Sequence, residues 1–241
     1  MSTKLTKQEL FKLKVKAFLH DPPEKPLILG LGDGHEASSL KYIKASLGED
    51  ESFDKNKWKF ADHVASAADR TSFPMDISKF QVNFRKNPII THPTAGTNYK
   101  LGDFSQIDAK EIQESVLKAC NEIREKSDGD YEKMYLYLWK YFPEIITKHE
   151  PKNSKIGLLW KYLPADTRIP DHSVLDHSKM VSTYLHVVWD KRKGYSSSIL
   201  AFKNNYLGCI FSRFFSLRQI TQKCIFLPEI TQAVWDKFAD L

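Results

Sequence analysis

Eight histidines are spread over the 241 residues, and three His-Asp juxtapositions stand out among them: His20-Asp21, Asp62-His63 and Asp176-His177. His35 and His172 also neighbour an acidic residue. Imidazole nitrogens and carboxylate oxygens together make a donor set suited to Mn, Fe, Co, Ni or Zn. One or two such ions, held by these groups, activate water and steady a phosphoryl oxygen. A single His-Asp pair says little, since a histidine satisfied by a hydrogen bond within the fold is the commoner case. The chemistry needs several of these pairs, far apart along the chain, to meet.

The elements that would have to bring them together are mostly helices. Residues 6–19 read as an amphipathic helix with capping-box spacing at Thr6 and Glu9, and Pro22-Pro23 ends it. His20 and Asp21 therefore fall at its C-terminal edge. A helix over 35–47 stops at Gly48, and another covers about 57–70. On the latter, Asp62 shares a face with Ser66, beside Ala61, Ala65, Ala67 and Ala68. That face is either solvated or, because small residues admit a close neighbour, turned inward. Residues 73–104 are irregular, with short strands expected at 80–84 and 88–91. Two long helices, 105–126 and 130–148, flank a turn at Ser127-Asp128-Gly129-Asp130. A polar loop over 163–170 leads into a helix over 171–189 with Asp171 as N-cap. On it, His177 shares a stripe with Val181, Tyr184 and Leu185. A histidine on such a stripe needs a partner, either a backbone carbonyl or a metal. A last helix opens at Pro228.

Composition restricts the class. Hydrophobic residues make up 41% and charged residues 27%, which fits a folded globular domain. The net charge of +6 fits either a polyanionic partner or mere solubility. Cys120, Cys209 and Cys224 show neither a disulfide framework nor zinc-ribbon spacing, which points to reduced thiols in the cytoplasm. The N-terminal residues have no apolar signal region, and the most apolar window, 206–215, contains Arg213, so neither export nor a membrane is expected. The glycine-rich turn at 30–34 lacks the Gly-Lys-Ser/Thr ending of a phosphate loop.

Four blocks occur in order: LKVKAFLHDPPEKPLIL, GHE, ADHVASAADR and LPADTRIPDHSVLDH. Together they resemble the N-terminal HD domain of the large subunit of type III-B (Cmr) CRISPR effector complexes, over about residues 8–190. The phrase Thr91-His92-Pro93-Thr94-Ala95-Gly96 resembles that family's His-Pro-x-x-Gly element. The resemblance implies a mainly α, circularly permuted HD-type phosphohydrolase fold with a small irregular or β insertion. In it the helix bearing the lone metal-binding histidine follows the His-Asp dyad. It implies that His20 and Asp21 are the catalytic dyad, that Asp62 is the helix aspartate and that His177 is the lone histidine. His35 and His63 would complete a second metal position. Asp166, Arg168 and His172 belong to the matching loop. The implied activity is metal-dependent cleavage of single-stranded DNA, with one or two Mn, Ni or Co ions. The implied partners are the other subunits of an effector complex and its guide RNA. A flexible strand needs basic and aromatic groups near the metal, for which Lys25, Arg70 and Arg168 are the candidates.

Full-length members of that family continue into palm-type domains with a Gly-Gly-Asp-Asp motif, absent from this sequence. Cyclic-oligonucleotide synthesis is therefore not expected of this chain. Residues 191–241 are read as an unassigned segment: a diverged or truncated start of a following domain, or a separate appendage. Two other functions fit an HD domain. One is hydrolysis of nucleotides or other small phosphate esters, and the other is an inert module docked on the effector complex.

Overall fold

The structure is a computed structural model, and it describes residues 5–29, 34–53, 55–69, 83–91, 97–101, 107–167 and 172–191. It is mainly helical: α1 (Lys7–Phe18), α2 (Lys25–Ile28), α3 (His35–Leu47), α4 (Lys59–Asp69), α5 (Ala109–Ser127), α6 (Tyr131–His149) and α7 (Val174–Lys191). Among the described residues there is one antiparallel strand pair, β1 (Ile89–Thr91) and β2 (Asn98–Lys100), with Ile90 opposite Tyr99. Short 3-10 turns at Lys55–Lys57 and Leu159–Tyr162 lead toward α4 and the loop before α7.

Helix ends follow local side-chain chemistry. The Thr6 hydroxyl accepts from the Glu9 amide at 3.2 Å, and the Glu9 carboxylate accepts from the Thr6 amide at 2.7 Å. Both orphan donors of the first turn of α1 are thereby satisfied. α3 stops at Gly48, whose φ of 124° a side chain would resist. Between α5 and α6 the chain turns through Asp128 and Gly129, both at positive φ, and the Asp130 carboxylate caps α6.

α1 is the central element, packing on α6, α7 and α3. It contributes to two cores at once. Val15, Phe18 and Leu19 join the larger one with Tyr42, Ile43, Ile112, Val116, Ile123, Leu138 and Phe142. Leu13 and Ala17 join the smaller one with Trp58, Ala61, Ala65, Met180, Val181, Tyr184 and Leu185. Ala61 and Ala65 are fully buried where α4 packs on α7, so the small residues of α4 do admit a close helix.

Some expectations are corrected. α7 begins at Val174, not at 171. Its first turn is closed by Ser173, whose hydroxyl accepts from the Asp176 amide at 3.1 Å and donates to the Asp176 carboxylate at 2.8 Å. Asp171 lies outside the described residues. The strand at 88–91 is present, but its partner β2 was not anticipated: its residues Asn98, Tyr99 and Lys100 are all exposed and show no alternation. The four-residue α2 was also missed, hidden by the prolines around it. Most of the strand expected at 80–84, the 92–96 phrase and the Pro228 helix lie outside the described residues. So does the 191–241 segment, apart from Lys191 at the end of α7.

Candidate metal centre

Three helices deliver side chains to one cleft. Pro22-Pro23 stops α1, so His20 and Asp21 project from its end rather than continuing its surface. The exit is held by α3, where the Ser39 hydroxyl donates to the His20 carbonyl at 2.6 Å. Asp62 enters from the first turn of α4, and His177 enters from the first turns of α7. His20, Asp21 and His177 are each about 5% exposed.

The geometry is that of a donor cluster. The His177 Nε2 lies 3.2 Å from Asp62 Oδ1 and 3.9 Å from Asp21 Oδ2. The His20 Nε2 lies 3.7 Å from Asp21 Oδ2 and 3.7 Å from Asp62 Oδ1. One donor atom from each of His20, Asp21 and His177 lies within 4.8 Å of the others. Ligands about 2.1 Å from a shared ion stand roughly 3–3.5 Å apart, so closing on a cation needs only a small contraction. On the far side, His35 Nε2 lies 3.7 Å from the other Asp21 oxygen, Oδ1. Asp21 thus faces two histidines through one oxygen and a third through the other.

The proton placement fits a ligand role. The His20 Nδ1 lies 2.7 Å from the Ala17 carbonyl, which can only accept, so this nitrogen carries the proton. Nε2 is left as a lone-pair donor aimed into the cleft, buried and without a hydrogen-bond partner. Such an orphaned buried nitrogen between two carboxylates is what a metal-binding imidazole, held by a backbone carbonyl, looks like. The electrostatics agree. Burial works against ionising Asp21, but the Lys25 ammonium outweighs it, and positive charge on the His20 and His177 side, a proton or a cation, adds to it, so the carboxyl is held well below the usual range. Burial likewise opposes ionisation of Asp62, and positive charge on the His177 and His20 side, a proton or a cation in its place, holds it down. Both carboxylates are therefore charged at neutral pH, as a cation site requires. Burial pulls the His35 imidazole down despite the opposing Asp21 charge, which keeps it neutral and able to ligate.

Of the anticipated residues, the fold brings His20, Asp21, Asp62, His177 and His35 together. It does not bring His63: this side chain is exposed and absent from the cleft lining. Successive helical residues point about 100° apart, so turning Asp62 inward sends His63 to solvent. Lys25 is in the cleft, but its ammonium lies 2.6 Å from Asp21 Oδ2. It is an ion-pair partner of the dyad before it is a contact for any substrate. Arg70 and Arg168 lie outside the described residues. Asp166 and His172 line the cleft, and the His172 ring lies 6.2 Å from that of His177. The loop is pinned by the Pro164–Ser173 bridge and by the Ala165 amide, which donates to the His172 carbonyl at 3.1 Å.

Sequence reading missed two features of this cleft. Trp58 and Phe53 form part of its wall, edge to face at 5.3 Å. Lys55 and Glu36 pair across its rim at 2.7 Å. The only signal for the latter was opposite charge on two residues nineteen apart, which is too common to single out.

Fold and site together define a mainly helical domain with a His/Asp cluster sunk at the junction of α1, α4 and α7. Among curated proteins the chain is similar to the CRISPR system Cmr subunit Cmr2 of Pyrococcus furiosus, with 26% identity covering 71% of this chain and 24% of that subunit. The chain thus spans about a quarter of the length of the curated relative it matches. This similarity bears out the resemblance to the large subunit of a Cmr complex. No protein-family profile matches the chain, and no solved structure matches it.

Proposed function

We propose that this chain is an HD-type, metal-dependent nuclease domain that cleaves single-stranded DNA in type III-B CRISPR defence, working with the other subunits of a Cmr-type effector complex and its guide RNA. The observation that carries the reading is the meeting of His20, Asp21, Asp62 and His177, from three helices, at donor separations of 3.2–3.9 Å. The order dyad, helix aspartate, lone histidine along the chain is that of a circularly permuted HD domain. His20, Asp21, Asp62 and His177 would hold a first divalent ion, and Asp21 Oδ1 with His35 would hold a second. Mn, Ni or Co suits the mixed imidazole and carboxylate set. Bound there, such an ion supplies Lewis-acid stabilisation of a phosphoryl oxygen and a water of lowered pKa.

The protein's own groups do the rest. The Ala17 carbonyl keeps the His20 lone pair pointed at the cleft. The Asp21 and Asp62 carboxylates supply the negative charge that a dication needs, without waiting for a proton to leave. Among the described residues the cleft measures about 130 Å³. That is small beside the roughly 300–1,000 Å³ of pockets that engulf a small molecule. A strand crossing the mouth fits this space better than an enclosed nucleotide, which favours the nuclease over a small-molecule phosphohydrolase. One observation favours a second reading, an inert docking module: Lys25 already neutralises the Asp21 oxygen on which an ion would sit.

The test is cleavage of labelled single-stranded DNA by the metal-stripped full chain, reloaded with Mn²⁺, Ni²⁺ or Co²⁺. We expect cleavage in at least one of these, and its loss by about a thousandfold or more in the His20→Ala/Asp21→Ala variant. Unchanged cleavage by that variant rules out the dyad. No cleavage with any ion, together with no measurable ion binding, establishes the docking reading instead.

A further inference from the structure

A second constellation lies on α1, α6 and α7, outside the cleft lining. Phe11 and Tyr135 stack tilted at 5.8 Å, and Tyr135 and Trp139 at 5.9 Å, so three rings from two helices form one strip. The Tyr135 hydroxyl ties this strip to α7 through Ser182 at 3.2 Å. Two ammonium groups lie on the rings. Lys14 is 4.2 Å from the Tyr135 centroid and 5.1 Å from that of Phe11, and Lys179 is 5.7 Å from that of Trp139.

The charge on this strip is balanced only in part: Glu132, already paired with Lys7, also acts on Lys14. The neighbouring lysines of α1 are matched: Lys7 pairs with Glu132, and Lys12 and Lys16 share Glu51. Lys14 and Lys179 form no ion pair with a carboxylate among the described residues, although both are half-buried. Burial pulls the Lys14 ammonium down to about 8, so it is still charged at neutral pH. Aromatic faces ease the burial of a cation but do not neutralise it. Half-buried cations without an ion-pair partner, lying against the partly exposed Phe11 and Trp139 rings, are what a groove for single-stranded nucleic acid requires, because every phosphate is an anion and every base has a stacking face.

We infer that this strip is a binding track for single-stranded nucleic acid, with Lys14 and Lys179 on backbone phosphates and the Phe11 and Trp139 rings under bases. Strand binding here needs neither the metal nor cleavage, so it goes beyond the reading of the cluster. An acidic peptide would satisfy the two ammonium groups but would leave the rings unused.

The experiment is fluorescence anisotropy of the full chain with a labelled oligothymidylate of about 20 nucleotides, in EDTA, across about 50–200 mM salt. The Lys14→Gln/Lys179→Gln variant should bind about tenfold or more weakly. Its log-log salt slope should be shallower by about 1.4, from two lost phosphate contacts at about 0.7 each for a single strand. Arginine at both positions should restore the slope, and Trp139→Leu should weaken binding without changing it. Binding is read in EDTA, with no ion in the cluster, and cleavage is read separately with metal, so failed cleavage and failed strand binding are told apart. Thermal melting checks that each variant is folded. If the double variant is not, Lys179→Gln alone should lower the slope by about 0.7. An unchanged affinity and slope in a folded lysine-to-glutamine variant overturns the track. So does polyglutamate bound as tightly as the oligonucleotide.

Discussion

At His20, one backbone contact decides what the side chain can do. The Ala17 carbonyl takes the Nδ1 proton, and the bare Nε2 then faces two carboxylates from 3.7 Å, outside hydrogen-bond range. Beside it, Lys25 rests on Asp21 where a cation would rest. Its positive charge competes with a dication, so Lys25→Met should tighten Mn²⁺ binding by about tenfold, equivalent to about 1.4 kcal/mol, in isothermal titration. If Lys25 also meets the phosphate once displaced, the same variant should lose cleavage despite holding metal better. Immediately before Lys25, Glu24 is fully buried, with the Tyr42 hydroxyl donating to it at 2.7 Å. Burial pushes its carboxyl up, which the Tyr42 bond only partly offsets. The unfolded chain ionises at a lower pH than the folded one, so stability falls as pH rises from the ordinary glutamate value through the raised one. Glu24→Gln removes that loss. Its melting temperature should exceed the parent's at neutral pH, with the gap closing near pH 4.

At the scale of elements, the approach of α4 to α7 is what brings Asp62 to His177. The side chains that permit it are Ala61 and Ala65, both at or near zero exposure against Val181 and Tyr184 of the same core. Ala65→Leu inserts three carbons into a filled space, at a cost of about 1–3 kcal/mol. In a domain of this size that is a fall of roughly 2–4 °C in melting temperature per kcal/mol. Because the strain pushes α4 away, the variant should also bind Mn²⁺ more weakly than its loss of stability alone would explain. The larger core packs on another face of α1, through Val15, Phe18 and Leu19, and no residue of α4 belongs to it. The α5–α6 hairpin belongs to that core and contributes no cluster ligand.

For the whole molecule, α1 is shared by both cores and ends at the cluster, so ligand geometry and global stability are linked. An ion that binds only the folded state must stabilise it. At an ion concentration about 100 times the dissociation constant the gain is about 2.7 kcal/mol. That corresponds to a rise of roughly 5–10 °C in melting temperature, which chelation should reverse. The His20→Ala/Asp21→Ala variant should show no such rise. No helix among the described residues is long and apolar enough to cross a membrane.

The helices, and the donors they carry, were legible in the amino-acid sequence because their signals are local. The Thr6–Glu9 cap, Pro22-Pro23, Gly48 and the Ser127–Asp130 turn act within a few residues of themselves, and α1, α3, α5 and α6 begin and end within a few residues of where those signals put them. Where the signal was not local, reading failed: β2 shows no alternation, and α7 starts at a Ser173 cap that Asp171 masked. Ligand types were also legible, since only imidazoles and carboxylates do this chemistry. Which of two adjacent residues, Asp62 or His63, faces inward was decided by the packing of α4 on α7. That Lys14 and Lys179 meet one aromatic strip depended on distances across helices remote in sequence. Spacing along a chain sets rotation about one helix axis. Only the assembled cores set the separation between two of them.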